Sequence, residues 1–482
     1  MKYLPLEWIY LTSLVVMLVT VGGCDDGINV CDGPMPARHS EAYPPALNLE
    51  WSFSENWLLF SSPRQRDLTG DCVADIVVGF GWIDGPPPHF DAPEEEFLEG
   101  GVIALDGYTG KELWRVMTHQ AIVGTPLFVE LDDDGTDDVV VGGRNGTLVA
   151  LSGKSGSVMW SWFPQGGSRA ESYWNFYTAQ SLGDRNADGV PDILVANGGD
   201  STKEPFEARP PGYIMVISGK TGEVLGKLQT PDDAETYMSP LLYQATIGSR
   251  EWVLFGTGGE TFAGSLWRIA LSDLLAGTDS TLELLVEPES YKGVIAPPSL
   301  TDINQDGVVD IVAVTYDSRV VALDGDSGEV LWDFRSQDAE IPASPAIGFF
   351  NDDSYPDVLV TMSIGSWPSY GNTLFFALSG FDGAVIEQGE LALSAYASPV
   401  AADLNGDGLD EALISLMDFT SMQNCTLYML DFQSDEVVEL SNITRACIST
   451  PLITDLDRDG ILELITATWS PKNYEEFDDR IE

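Results

Sequence analysis

Basic residues are scarce in this chain of 482 residues, which carries 23 Lys and Arg against 76 Asp and Glu. Its formal net charge at pH 7 is therefore −53. A surface of this kind repels phosphate backbones and anionic lipid headgroups, so we exclude nucleic acid as a partner. A saline habitat and an ordinary acidic exported protein explain the excess of acid equally well.

Histidines and catalytic motifs are scarce as well. The three histidines are His39, His89 and His119, and none of them lies near a nucleophile motif. The chain also lacks GxSxG, HExxH and P-loop sequences, which mark esterases, zinc proteases and nucleotide-binding enzymes. These absences favour a protein that is not an enzyme.

Long apolar runs are absent except near the N-terminus, between Trp8 and Val21. That run follows Lys2, is too short for a good membrane-spanning helix and is typical of an export signal. The residues VGGC, which end at Cys24, resemble a bacterial lipobox. The resemblance implies cleavage before Cys24 and lipidation of its thiol, and an ordinary secretory signal is the alternative.

The N-terminus sets the predicted domain organisation. We expect a lipoprotein signal peptide over residues 1–23, a tether over residues 24–48 and one large domain over residues 49–482. The membrane is then contacted only through the lipid, and the protein faces either the cell surface or the periplasm.

Four cysteines remain after Cys24, and an even number in an oxidising compartment suggests two disulfides. Three pairings are possible. Proximity in the sequence favours Cys31 with Cys72 and Cys425 with Cys447.

An acidic cluster recurs along the chain, and 28 Pro and 48 Gly favour many short turns between strands. Clear copies of the cluster begin at Glu130, Asp184, Asp302, Asp403 and Asp455, and degraded copies begin at Asp67 and Phe349. The stretch from Gln244 to Trp252 holds the same place without the acidic residues. The seven steps between residues 67 and 455 are roughly 55 residues each, which is in the range of propeller blades.

A second pattern follows the clusters and is clearest in ALDGYTGKELW, residues 104–114. Two apolar runs joined by a Thr/Ser-Gly turn predict a β-hairpin, so each repeat holds four strands. The chain has one hairpin fewer than it has clusters. Trp51 stands before Ser62 and Pro63 as Trp114 stands before Thr125 and Pro126, so we expect an N-terminal strand to complete the last sheet and close a ring.

These two patterns resemble two known repeat families. The hairpin is similar to the tryptophan-docking repeat of quinoprotein-like (PQQ-like) propellers, and the clusters resemble FG-GAP/VCBS repeats, which also occur in the integrin α-chain propeller. The resemblance implies an all-β, eight-bladed β-propeller, with seven blades as the alternative. It also implies contacts between blades made by Ala104, Asp106, Thr109, Gly110, Lys111 and Trp114.

The clusters predict structural calcium sites. Alternate residues of an extended loop point the same way, so positions 1, 3 and 5 converge, the glycine allows the return and position 9 adds a carboxylate. Oxygen ligands without His or Cys select calcium. The candidate ligands are Glu130, Asp132, Asp134, Asp138, Asp184, Asn186, Asp188, Asp192, Asp302, Asn304, Asp306, Asp310, Asp403, Asn405, Asp407, Glu411, Asp455, Asp457, Asp459 and Glu463, with Asp67, Asp71 and Asp75 in a degraded copy.

Turns of a four-stranded meander alternate between two faces, so the calcium loops and the hairpin turns share one face. The long insertions fall on the other, and long loops on a rigid scaffold usually carry binding. We expect a protein or glycan ligand there, and the oligomeric state stays open. The aromatic candidates for this contact are Trp82, Tyr173, Trp174, Tyr177, Trp367 and Tyr370.

Two other functions remain as alternatives. A periplasmic scaffold for outer-membrane protein assembly is one, because lipoproteins of that kind share the anchor and PQQ-like blades. A quinone-dependent or polysaccharide-acting enzyme is the other. The adjacent cysteine pair of quinoprotein dehydrogenases is missing, whereas some calcium-rich propellers are polysaccharide lyases.

Overall fold

The structure, a computed structural model, describes residues 12–19, 48–55, 60–81, 100–118, 120–162, 174–200, 203, 206–336, 338–418, 421, 423–434, 436–443, 445–460 and 462–468. This part of the chain forms eight antiparallel sheets of four or five strands, with one helix at Leu271–Ala276. A succession of four-stranded meanders is the architecture of a β-propeller, as the repeats predict.

We number the sheets in chain order. Sheet 1 contains Arg64–Arg66, Asp75–Gly81, Gly100–Leu105 and Glu112–Thr118. Sheet 2 contains Leu127–Val129, Asp138–Gly142, Leu148–Leu151 and Val158–Trp162. Sheet 3 contains Trp174–Phe176, Gln180–Gly183, Asp192–Asp200, Tyr213–Ile217 and Val224–Gln229. Sheet 4 contains Leu241–Gln244, Glu251–Gly256, Leu266–Ala270 and Glu283–Val286.

The second half of the chain continues the pattern. Sheet 5 contains Ser299–Thr301, Asp310–Thr315, Arg319–Leu323 and Val330–Arg335. Sheet 6 contains Ala339–Glu340, Ala346–Gly348, Asp357–Ser366, Ser369–Leu378 and Val385–Leu391. Sheet 7 contains Ser394–Ala395, Val400–Ala402, Glu411–Asp418, Gln423–Asp431 and Glu436–Ile443. Sheet 8 runs, in order across the sheet, Leu452–Thr454, Leu462–Thr468, Thr12–Val19 and Asn48–Glu55.

Burial differs between the strands of one sheet in a regular way. The second and third strands of sheet 2 are buried along their whole length, whereas its fourth strand, Val158–Trp162, alternates between exposed and half-buried residues. A strand whose two faces are both covered needs apolar side chains on both faces. This is why the second strands contain β-branched runs, such as the three valines of Asp138–Gly142 in sheet 2.

The core consists mainly of clusters between neighbouring sheets. Each of the seven steps from sheet 1 to sheet 8 has its own apolar cluster. A further cluster joins sheet 8 to sheet 1, where Leu456 and Ile465 pack with Ile76 and Leu105. The apolar core is therefore distributed around the molecule.

Tryptophans of the fourth strands dock onto the hairpin turn of the next sheet, as the quinoprotein resemblance implies. The Nε1 of Trp114 donates to the carbonyl of Gly153 at 2.7 Å. Trp51, Trp160 and Trp332 make the same bond to Gly107, Gly219 and Gly380. The next turn glycine lies under the ring: Gly110 has a φ of +68°, and a Cβ there would lie 2.4 Å from Trp51.

Sheet 4 replaces this tryptophan with a contact that the sequence does not predict. The Nη1 of Arg268 and the hydroxyl of Tyr243 both donate to the carbonyl of Gly325, each at 2.9 Å. Arg268 also stacks over Trp252 and pairs with Glu283. The helix Leu271–Ala276 follows and buries Leu271 and Leu274 between sheets 3 and 4.

Serine and threonine hydroxyls connect the first strands of successive sheets. The backbone N–H of Thr125 donates to Thr178 Oγ1, and that of Thr178 donates to Ser239 Oγ. On the other side of the molecule the same bond runs from Ser344 to Ser398, from Ser398 to Thr450 and from Thr450 to Ser62. The last of these bonds links sheet 8 to sheet 1.

Two N-terminal strands complete sheet 8. Thr12–Val19 pairs antiparallel with Leu462–Thr468 on one side and with Asn48–Glu55 on the other. The sequence predicts one strand here, around Trp51. It assigns residues 12–19 to the signal peptide, whereas the structure has them as the third strand of the sheet.

A disulfide joins Cys425 to Cys447, which confirms that predicted pairing. Cys72 is also disulfide-bonded, and its predicted partner Cys31 lies outside the described residues. Within the described ranges, no helix is both long enough and apolar enough to cross a membrane.

Candidate functional site

The clear acidic clusters share one loop conformation, which joins the first and second long strands of a sheet. The fourth position is left-handed, with φ between +59° and +77°, and its residues are Asp133, Ala187, Gln305, Gly406 and Arg458. The sixth position is always glycine, with φ between +81° and +93°. These two positions turn the chain so that positions 1, 3 and 5 face the same side.

Backbone amides hold the side chains of each loop. In the copy at 184, the carboxylate of Asp184 accepts from the N–H groups of Ala187 and Gly189 at 2.7 and 2.9 Å. Asn186 Oδ1 accepts from the N–H of Asp188, and Asp188 Oδ1 accepts from that of Val190. The bonds that Asp184 accepts from the N–H groups of Gly189 and Ala187 lower the pKa of its carboxyl, which therefore stays ionised.

Three clear copies bring three carboxylates together, with oxygen atoms within 4.8 Å of one another. These groups are Glu130, Asp132 and Asp138; Asp302, Asp306 and Asp310; and Asp455, Asp457 and Asp459. The copies at 184, 302 and 403 each have an asparagine at position 3, whose amide oxygen adds to the carboxylates. An all-oxygen set of this kind fits calcium, which takes six to eight oxygen ligands.

The ninth-position carboxylate has a second role that sequence reasoning missed. Asp138 is fully buried, and its Oδ2 accepts from the N–H of Leu131 while its Oδ1 accepts from the N–H of Gly153. Gly153 is also the residue whose carbonyl receives Trp114. One aspartate thus connects the acidic loop, the hairpin turn and the tryptophan of the neighbouring sheet.

The same clamp recurs in sheets 1, 3, 5 and 6. It joins Asp75 to Gly107, Asp192 to Gly219, Asp310 to Gly325 and Asp357 to Gly380. Sheets 7 and 8 have a glutamate instead, and Glu411 and Glu463 accept from the N–H groups of Leu404 and Leu456. We expect an aspartate at the ninth position wherever the hairpin turn of the same sheet has a glycine whose N–H the carboxylate can reach.

Burial raises the pKa of these ninth-position carboxyls, and the backbone N–H groups that they accept from oppose the rise. The pKa reaches about 6 for Asp75, Asp138 and Asp310, and about 7 for Asp357 and Glu411. For Glu463 it reaches about 8, with further contributions from Asp457 and Asp455. A cation bound to the loop would favour the ionised form.

The two degraded copies differ from one another. The copy at 67 keeps the loop shape, because Gly70 and the disulfide-bonded Cys72 have φ of +76° and +74°. Asp67 accepts from the N–H groups of Gly70 and Cys72, and Asp71 from that of Val73. In the copy at 349, Asp352 and Ser354 are not among the left-handed residues of the described chain. Phe349, at the first position, is exposed.

The opposite face, which we call the insertion face, consists of the turns between second and third strands and the connections between sheets. Of the aromatic candidates, Trp82 and Tyr173 lie outside the described residues. Trp174 packs on Tyr213, with Lys227 over both rings. Tyr177 packs on Tyr237 at 5.9 Å. These rings are half-buried among their neighbours.

A cleft of about 450 Å³ lies on the insertion face between sheets 5 and 6. It is lined by Ser290, Tyr291, Lys292, Asp317, Ser318, Ser336, Asp338, Ala339, Glu340, Gly365 and Ser366. Beneath it, Glu340 accepts from the hydroxyl of Tyr370 at 2.9 Å and from the N–H of Trp367 at 2.9 Å. Tyr370 is 7% exposed and also bonds Tyr316, so it supports the cleft from inside.

Sheets 3 and 4 carry a second polar group on this face. The guanidinium of Arg209 pairs with the buried Glu235, which accepts from the hydroxyl of Tyr237 at 2.7 Å. Burial raises the pKa of Glu235 and of Glu260, and Arg209 opposes the rise in both. Sequence reasoning missed these charges because they lie in non-repeated segments.

Comparisons with known proteins agree with this architecture. A family model described as FAM234A/B beta-propeller matches residues 100–369. Human Protein FAM234B is 24% identical over 346 residues, which cover 66% of this chain and 50% of that protein, so the chain spans about half the length of this relative. The mouse protein is 23% identical, and the match covers 97% of this chain and 75% of its own length.

Among solved structures, the quinohemoprotein alcohol dehydrogenase from Comamonas testosteroni is similar with a TM-score of 0.52 at 11% identity. The match covers 85% of this chain and 74% of that one. At this identity the likeness shows the propeller fold alone, because one fold hosts many unrelated functions.

Proposed function

The chain belongs to the FAM234A/B β-propeller family, and we propose that it is a calcium-stabilised propeller that binds a protein or a glycan on its insertion face and is not an enzyme. The observation that carries this proposal is the cleft of about 450 Å³ between sheets 5 and 6, on the face that has the non-repeated segments. Its size is within the range of about 300–1,000 Å³ typical of ligand sites.

The ring of the proposed propeller has eight blades, one for each sheet, and the strand Asn48–Glu55, which carries Trp51, closes it. Three contacts support closure between sheets 8 and 1: the shared apolar cluster, the bond from Trp51 to Gly107 and the bond from Thr450 to Ser62. A closed ring leaves no sheet edge free for unwanted pairing.

Calcium ions in the five clear loops are the proposed structural cofactor. The left-handed fourth and sixth positions of all five loops, and the carboxylate oxygen atoms that converge in three of them, support this assignment. Calcium neutralises carboxylates that otherwise repel one another beside the buried ninth position. The ions act on the scaffold and only indirectly on the insertion face.

Export and a lipid on Cys24 remain part of the proposal. Cleavage before Cys24 would remove Thr12–Val19, which lies between Leu462–Thr468 and Asn48–Glu55 in sheet 8, so those two strands would have to pair with each other directly. One molecule cannot have both the cleavage and the observed third strand. Mass spectrometry of the protein isolated from its own cells decides between them, because cleavage shortens the chain by residues 1–23.

The binding proposal is tested with the full chain, purified in detergent and screened against a glycan array and against extracellular proteins. A variant with residues 288–291 replaced by a Gly/Ser segment of equal length alters the insertion face at the cleft. A matched variant with residues 246–249 replaced alters the opposite face at the fully exposed Ile247. We expect a ligand whose capture is weakened by the change on the insertion face and kept by the change on the opposite face; the reverse pattern would contradict the proposal.

A further inference from the structure

The floor of the cleft between sheets 5 and 6 is a buried ion pair. Lys292 and Glu340 are only 7% and 5% exposed, and Lys292 Nζ lies 2.7 Å from Glu340 Oε1. Ser366 donates to the same carboxylate oxygen and accepts from Lys292 at 3.4 Å. An ammonium has three donors, and these two contacts use two of them, while the Tyr316 ring lies 5.4 Å from Lys292 Nζ.

The walls of the cleft offer further polar groups. Ser290 Oγ accepts from the N–H of Lys292, which leaves its own hydroxyl proton available. Within the described part of the chain, the hydroxyl of Ser336 and the carboxylate of Asp338 have no side-chain hydrogen bond or ion pair. Asp338 is exposed at the mouth of the cleft. The cleft thus presents both donors and acceptors.

The charge of the cleft argues against an anionic ligand. Lys292 is neutralised by Glu340, and the other two charged residues of the lining, Asp317 and Asp338, are both acidic. Asp317 accepts from the N–H groups of Glu289 and Ser290, which hold its side chain at the wall. A phosphate, sulfate or carboxylate would therefore be repelled.

The lining also argues against a protein hot spot. Tyr291 is the one aromatic residue of the lining and Ala339 is buried, whereas four serines line the cleft. Protein interfaces concentrate their binding energy in buried apolar and aromatic anchors that fill matching pockets. Tyr291 is instead 70% exposed at the rim, where its ring is available as a flat apolar platform.

We infer that this cleft binds one uncharged sugar residue of a glycan, with its hydroxyls on Lys292, Ser290, Ser336 and Asp338 and one of its faces on the Tyr291 ring. A sugar is the ligand that needs several donors and acceptors and a single apolar platform, with no countercharge. The inference rests on the proposed function, because it names the ligand class of the insertion face.

The test measures binding of the full chain to an array of neutral oligosaccharides, matched sulfated and uronic acid oligosaccharides, and a glycoprotein before and after enzymatic deglycosylation. Tyr291→Ala removes the platform, and Tyr108→Ala is its control because Tyr108 is also 70% exposed but lies on the hairpin turn of sheet 1. Asp338→Asn is paired with Asp326→Asn, an exposed aspartate on the hairpin turn of sheet 5.

We expect neutral glycans to bind, with affinity reduced about tenfold by Tyr291→Ala and severalfold by Asp338→Asn, and unchanged in the two controls. If the glycoprotein is captured before deglycosylation and no longer captured after it, the sugar that binds is one attached to a protein, which supports the inference. Binding of acidic glycans alone, or neutral binding that both cleft variants leave unchanged, would overturn the inference. A protein ligand captured without any glycan would overturn it too and leave the proposed function standing.

Discussion

The two faces of this propeller are built on different principles. On the face with the acidic loops, which we call the loop face, the same contacts recur: an acidic loop, a buried ninth carboxylate, a turn glycine and a docking tryptophan. On the insertion face, Lys292 with Glu340 and Arg209 with Glu235 each occur once. Repetition serves stability, because each copy fastens one sheet to the next, and the non-repeated face is the one on which we propose a ligand site.

A comparison within the loop face separates the two roles of the ninth carboxylate. The copy at 349 has lost its first ligand and its glycine, yet Asp357 still accepts from the N–H groups of Phe350 and Gly380. The clamp therefore persists where the predicted ligand set does not. In the clear copies the same position serves both the clamp and the predicted ion.

The largest expected effect is that of removing calcium. An extracellular-type site with a Kd of about 0.1–1 mM contributes about 0.4–1.4 kcal/mol at about 1 mM calcium, so five loops give about 2–7 kcal/mol. Thermal unfolding with calcium and with chelator measures this difference, and magnesium in place of calcium is the control. An unchanged melting temperature in chelator would contradict the assignment of the loop face.

The pH dependence of the calcium-free protein comes next. Burial raises the pKa of Asp138, Asp357 and Glu463 in the folded state, to about 6, 7 and 8. The folded state then binds protons more strongly than the unfolded state, so this stabilisation is complete below the unfolded pKa and is lost as the pH rises through the folded pKa. We expect the melting temperature in chelator to fall between about pH 4 and pH 8, and calcium to give its largest gain at the upper end. A rise over that range in chelator would contradict these shifts.

The substitution Asp357→Ala tests the clamp without a complete calcium loop. It leaves two backbone N–H groups without an acceptor, so we expect a loss of about 1–3 kcal/mol that is the same with calcium and with chelator. Asp353→Ala, in the same loop but exposed, is the control and has little effect. A loss for Asp357→Ala that appears only with calcium would show that this copy binds an ion.

The smallest expected effect is a gain. The double substitution Phe349→Asp with Ser354→Gly restores the first ligand and the turn residue of the degraded copy. We expect it to add about 0.4–1.4 kcal/mol with calcium and nothing in chelator. Phe349→Asp alone is the control, because the chain still lacks the glycine needed at the left-handed sixth position. A gain of equal size in chelator would argue against a calcium loop.

Much of the fold follows from the sequence because the repeats encode it locally. The turn glycines, the docking tryptophans and the spacing of the clusters predict the sheets and their order, including the contact of Trp51 with sheet 1. The disulfide between Cys425 and Cys447 is confirmed. These features depend on residues close in sequence or repeated at a fixed interval.

Other contacts depend on residues that come together only in the folded chain. Nothing in the local sequence predicts that Arg268 and Tyr243 take the place of a docking tryptophan on Gly325. The cleft likewise combines segments around 290, 317, 338 and 365, none of which carries a motif. The strand Thr12–Val19 was assigned to a signal because an apolar β-rich run and a signal core have the same composition.

The measurement that decides the account of the loop face is the number of calcium ions bound per chain, determined by equilibrium dialysis of the full chain at millimolar calcium with metal analysis. The account predicts about five ions, with one lost when the position 1 and position 5 ligands of a clear copy are replaced, as in Asp302→Ala with Asp306→Ala. Binding of no calcium, or of the same number after that change, would contradict it.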